Sequence, residues 1–94
     1  MQKFNEDVLS KTSGKVMVKF GAAWCAPCKM VSPILEEMAE EGKPVYDVDV
    51  DSDPATTAKF GIRGVPTYIV FENGKEILRE SGNKTKSQLE ELLN

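Results

Sequence analysis

Val16-Met17-Val18-Lys19-Phe20-Gly21-Ala22-Ala23-Trp24-Cys25-Ala26-Pro27-Cys28-Lys29 is the stretch that orients the rest of the chain. Residues 16 to 20 are almost continuously apolar, the pattern of a central strand covered on both faces. Lys19 is the single charge in that run. Over residues 26–41, Met30, Val31, Ile34, Leu35, Met38 and Ala39 recur at helical spacing. Pro27 suits the first turn of that helix, while Pro33 lies inside it and is expected to kink it. Gly42 and Pro44 close it. A strand that runs directly into a helix thus carries two thiols, Cys25 and Cys28, to the helix start.

The flanking sequence supplies the remaining elements. Phe4 to Leu9 reads as a short helix, with Asn5 as N-cap, acidic residues in the first turn, and Phe4 and Leu9 able to staple it; Gly14 ends the segment. Val45 to Val50 alternates, with Tyr46, Val48 and Val50 on one face and Asp47 and Asp49 on the other, and so predicts a strand. Asp53-Pro54 opens a short helix that Gly61 ends. Thr67–Phe71 and Glu76–Glu80 predict strands joined around Asn73-Gly74, a two-residue hairpin signal. Thr85 and Gln88 form a capping box before the apolar stripe of Leu89, Leu92 and Leu93. The order α-β-α-β-α-β-β-α needs a right-handed crossover between parallel strands, followed by an antiparallel hairpin. The expected fold is α/β: a mixed four-stranded sheet with helices on both faces, in a single domain spanning residues 1–94.

Bulk properties narrow the function. Ninety-four residues make one compact domain. The net charge is −3 with acids and bases well mixed, and no Lys/Arg cluster exists to neutralise a row of phosphates, so nucleic acid is not an expected partner. The longest apolar runs fall far short of the ~20 residues that span a bilayer, so no membrane attachment is expected either. The first twenty residues lack the apolar core of a secretory signal, which points to the cytoplasm, although a signal already removed would leave no trace.

The chain has two cysteines and no histidine. A bridge across so short a loop constrains the unfolded chain little, so it is not a stability framework. In a reducing compartment such a pair is catalytic or metal-binding. Two thiolates are half of a tetrahedral zinc site, and no histidine could complete it within the chain. No metal is therefore expected. A thiolate at a helix N-terminus faces unpaired N–H groups and the positive end of the dipole, which lowers its pKa. That increases the attacking form of Cys25 at neutral pH. Cys28, one turn in, can then attack the resulting mixed disulfide.

Phe20 to Pro33 (FGAAWCAPCKMVSP) resembles the active-site strand and helix of thioredoxins, and Gly61-Ile62-Arg63-Gly64-Val65-Pro66-Thr67 resembles their loop bearing a cis-proline. The likeness extends to Asp51, Pro54, the Asn73-Gly74 hairpin and Gly82. It implies a protein disulfide reductase with Cys25 as nucleophile and Cys28 as resolving thiol, needing no cofactor beyond that redox-active pair. Pro66 would be cis, leaving the Val65 backbone free to pair with an extended substrate strand. Trp24, Ala26, Pro27, Gly64, Val65 and Gly82 would form the apolar substrate surface. The implied partners are disulfide-containing proteins and a thioredoxin reductase as electron donor, with the chain acting as a monomer. Two other roles stay open: a thiol oxidase or isomerase of the same fold, and a non-catalytic subunit or assembly partner of a larger enzyme.

Four departures from the family pattern stand out. The chain starts at the first helix, so an N-terminal edge strand is not expected. Ala26 stands where the family usually has glycine, which leaves the redox potential open. Gly21 replaces an aromatic residue and removes a packing group next to the site. Lys19 occupies the place of a buried aspartate behind the resolving cysteine, and Asp47 the place of a lysine on the neighbouring strand. With both signs reversed, a Lys19–Asp47 pair under the dithiol is expected, because an unpaired buried charge is costly.

Overall fold

The computed structural model describes all 94 residues. In chain order the elements are β1 (Gln2–Lys3), α1 (Asp7–Lys11), β2 (Lys15–Gly21), α2 (Ala26–Glu40), β3 (Val45–Asp49), α3 (Pro54–Lys59), β4 (Thr67–Glu72), β5 (Lys75–Ser81) and α4 (Lys86–Leu92). The mixed α/β sheet has the order β1-β3-β2-β4-β5, with β1 and β2 parallel to β3 and the β2–β4 and β4–β5 pairs antiparallel.

The sheet has five strands, not the four that the sequence predicts. The extra strand is β1, which pairs Gln2 with Tyr46 and Lys3 with Asp47, and Phe4 N–H continues the ladder to the Asp47 carbonyl at 2.9 Å. Two exposed residues carry no alternation, so only the neighbouring edge of β3 defines this strand. The first helix also starts later than expected. Glu6 is its N-cap, while Asn5 Oδ1 accepts the Asp7 N–H at 3.0 Å just upstream.

The other punctuation signals hold. Asp53 Oδ1 caps α3 by accepting the Thr56 N–H at 3.1 Å. Thr85 and Gln88 exchange the two bonds of a capping box at 3.1 and 2.8 Å. Asn73 and Gly74 both have positive φ, 53° and 85°, as the tight β4–β5 turn requires. The α2 helix runs unbroken through Pro33.

Alternation along β2 divides the core. Val16, Val18 and Phe20 join Phe4, Val48, Ile69 and Phe71, against which α1 contributes Val8 and Leu9. Met17 joins Val31, Leu35 and Met38 of α2, Tyr68 and Val70 of β4, and Leu89 and Leu92 of α4. Helix α1, with Phe60 and Ile62 just after α3, thus covers one face, and α2 and α4 the other. The C-terminal end of β2 emerges between these layers and carries the chain into the cysteine turn.

Candidate active site

The site is assembled where β2 stops. Cys25 is the N-cap of α2, and its Sγ accepts the Cys28 N–H at 3.2 Å. Pro27, in the first turn, has no N–H to leave unpaired. The two cysteines form a disulfide with Cα atoms 5.2 Å apart. Both are buried in this oxidised state, at 4% and 2% exposure, so accessibility does not distinguish them. Their surroundings differ. The Cys25 side lies at the protein surface with Trp24 at 70% exposure, whereas Cys28 lines a cavity of about 290 Å³ behind the disulfide.

Trp24 is held by its own hydrogen bond, Nε1 to Asp51 Oδ2 at 2.9 Å. Ala26, Pro27 and Gly64 are exposed; Val65 and Gly82 are half-buried and Pro66 is buried. Val65 packs against the cluster of Ala22, Cys25 and Cys28, and the Val65–Pro66 peptide is cis. Gly82 is tied to this loop because its N–H donates to the Pro66 carbonyl at 3.0 Å and its own carbonyl accepts from Tyr68 Oη at 3.0 Å. Thr67 Oγ1 closes the loop on the Gly64 carbonyl at 2.6 Å. The backbone N–H and C=O of Val65 take part in no hydrogen bond of the fold.

On the inner side, register places Lys19 directly across from Asp47. Lys19 is 6% exposed, and its ammonium lies 3.2 Å from Asp47 Oδ1 and 3.2 Å from Ser32 Oγ. Ser32 Oγ in turn donates to the Cys28 carbonyl at 2.8 Å. No buried side-chain nitrogen or oxygen lacks a partner. Asp49 lines the same cavity; the Asp51 N–H holds its carboxyl below the usual aspartate range, helped by Ser52 and by the Lys19 charge. Across β4, burial pushes the Tyr68 phenol up to about 12.

Ser32 and Asp49 are the residues that sequence reasoning passed over. Ser32 stands four residues after Cys28 on one helix and therefore on the same face. Asp49 follows Asp47 at the strand period of two. Both spacings were available as signals. No group of three or more His, Cys, Asp or Glu side chains is gathered as a metal site would require, and no helix is long and apolar enough to cross a membrane.

The sequence profile described as Thioredoxin matches residues 1–94. The chain belongs to the thioredoxin family. Thioredoxins of Staphylococcus aureus strains Mu50 / ATCC 700699 and NCTC 8325 / PS 47 are each 44% identical over 84 residues, covering 86% of this chain and 81% of theirs. The solved structure of a mutant thioredoxin from Halobacterium salinarum NRC-1 superposes with a TM-score of 0.86 at 32% identity, covering 98% of this chain and 84% of that one. With Cys25 and Cys28 at disulfide distance, the thioredoxin assignment makes the chain a thiol–disulfide oxidoreductase.

Proposed function

We propose that this thioredoxin reduces protein disulfides with Cys25 as nucleophile and Cys28 as resolving thiol. The observation that carries the reading is Cys25 Sγ at the helix N-cap, accepting the Cys28 N–H beside the unpaired Val65 backbone. A hydrogen-bond donor and the dipole both favour a thiolate on Cys25. That thiolate attacks one sulfur of a substrate disulfide, forms a mixed disulfide, and expels the other sulfur as a thiolate. Cys28 thiolate then attacks Cys25 Sγ. The Cys25–Cys28 bond forms, and the substrate leaves as a dithiol with two electrons gained. A two-electron donor of the thioredoxin reductase kind restores the dithiol.

An extended substrate strand is bound through the Val65 N–H and C=O, with Pro66 positioning them and Trp24, Ala26, Pro27, Gly64, Val65 and Gly82 supplying the apolar surround. The chain acts alone, as a single domain and monomer, on disulfide-containing proteins in the cytoplasm. Trapping tests the roles. Cys28→Ser should accumulate mixed disulfides through Cys25 with an insulin-like substrate. Iodoacetamide should label Cys25 of the reduced chain before Cys28 at neutral pH. Faster labelling of Cys28 overturns the assignment.

A further inference from the structure

Two departures from the family pattern, at Lys19 and Gly21, meet at one point in space. A Cβ built on Gly21 would lie 2.7 Å from both Cε and Nζ of Lys19, and 3.3 Å from Cys28 Sγ. The ammonium and the sulfur therefore border the same small volume and lie no more than about 6 Å apart. Gly21 does not have a positive φ, so an added Cβ there would disturb the resting place of the flexible Lys19 end and not the backbone. Asp47 and Ser32 bond the ammonium, and Ser32 is also bonded to the Cys28 carbonyl.

We propose that Gly21 and Asp47 together hold the Lys19 ammonium behind Cys28, where its charge favours the thiolate that resolves the mixed disulfide. The proposal rests on the reading of Cys28 as the resolving thiol. Lys19 is a positioning residue, since it touches neither the attacked sulfur nor the substrate. An ammonium has three donors and no lone pair, so it cannot take the proton from Cys28. That proton leaves to water through the cavity lined by Lys19, Gly21, Cys28, Ser32, Asp47 and Asp49. The thiolate electron pair then forms the bond to Cys25 Sγ, and the Cys25–substrate bond breaks with its pair going to the substrate sulfur.

Other charges face the same thiol. Asp47 and Asp49 of β3 oppose the thiolate, and Lys29 of α2 lines the cavity and favours it. Tyr68, across β4 from Lys19, stays neutral until about pH 12. The ammonium shares the Gly21 gap with the sulfur and is more deeply buried than the Asp47 carboxylate, so its sign prevails after partial cancellation. A shift of about one pKa unit in Cys28 is expected on its removal.

The test uses the reduced full-length chain and titrates the Cys28 thiol by its 13Cβ shift. Lys19→Met should raise the Cys28 pKa by about one unit. Gly21→Ala should do the same by displacing the flexible lysine end, and the double variant should add nothing to Lys19→Met. Asp47→Asn, which removes the opposing charge, should lower it. Because nucleophilicity falls as pKa falls, with a Brønsted slope of about 0.4–0.5, the tenfold loss of thiolate in Lys19→Met is partly offset. Release of a mixed disulfide should slow about threefold at neutral pH and quicken about threefold above both pKa values. A change of packing alone would not invert with pH. No shift beyond a few tenths in Lys19→Met, or a downward one, overturns the proposal. A Gly21→Ala shift that persists in full without Lys19 overturns the role of Gly21. The titration needs no substrate turnover, so it can fail while the trapping of Cys25 succeeds, and the reverse.

Discussion

Strand β2 presents two unlike faces to the helices around it. The even-numbered face, Val16, Val18 and Phe20, ends in a cluster of rings: Phe20 meets Phe60 at 6.1 Å, Phe60 meets Phe71 at 5.5 Å, and Phe4 stacks on Phe71 at 6.3 Å. The odd-numbered face starts at half-buried Lys15, continues with Met17, wholly buried among α2 and α4, and passes through Lys19 to Gly21 as it nears the disulfide. The first face is packed along its whole length. The second changes from apolar Met17 to charged Lys19 to side-chain-free Gly21 within five residues and borders a cavity at its end. Dense packing fills one side of the strand, whereas the other leaves a charge and a cavity beside Cys28. One strand separates the two by using the pleat.

The largest effect that would sharpen this contrast is on the ring face. Phe20→Ala removes a fully buried ring from contact with Phe60 and should cost about 3–5 kcal/mol. The urea midpoint should fall accordingly at unchanged slope. A loss below about 1 kcal/mol would mean that the ring cluster is not the tighter half of the core.

The charged face should respond by an unequal pair of smaller effects. In Lys19→Met a linear apolar chain replaces the lysine stem, and the Asp47 left behind has a side chain one-third exposed, so water can serve it. Stability should change by less than about 1 kcal/mol in either direction. Asp47→Asn instead leaves a lysine side chain that is 7% exposed with only a neutral amide and Ser32 as partners. It should cost about 1–3 kcal/mol. Equal losses in the two variants would show that the pair acts as a symmetric salt bridge and not as a support for Lys19.

Most of this arrangement is local enough to be written in the sequence. The N-cap thiol follows from a strand pattern abutting a helix pattern at Cys25, and the caps at Asp53 and Thr85 and the Asn73-Gly74 turn are each set within four residues. The Lys19–Asp47 contact was legible too, because a charge in an apolar strand demands a partner and the alternation of β3 turns Asp47 to that side. Strand β1 was not legible. Its two residues bury nothing and are strand only because Tyr46 and Asp47 offer a free edge. Gly21 was legible as a missing packing group but not as the space filled by Lys19, since that depends on where a flexible side chain comes to rest. The spacing of four puts Ser32 on the Cys28 face of α2, but its bond to Lys19 depends on how α2 is rotated over the sheet.

Tyr68 gives a test of similar small size, read from how stability changes with pH. It lies opposite Lys19 on β4, is fully buried, and donates from Oη to the Gly82 carbonyl at the rim of the site. Tyr68→Phe keeps the ring and loses that hydrogen bond. Gly82 is only half-buried, so water can replace the donor, and the cost at neutral pH should be about 0.5–1.5 kcal/mol. Burial raises the folded-state phenol pKa from 10 to about 12. Between those values the unfolded chain ionises Tyr68 first and binds fewer protons than the folded one, so stability falls as pH rises. The contribution is fully present below pH 10 and is lost as pH passes through about 12. Tyr68→Phe lacks this group, and every other alkaline titration is common to both chains. Urea unfolding of the two proteins from about pH 8 to 12 should therefore show the wild-type advantage narrowing above pH 10 and vanishing or reversing near 12. Curves that stay parallel would mean that the phenol ionises at its ordinary pKa, and that the face carrying Lys19 is wet as far as β4.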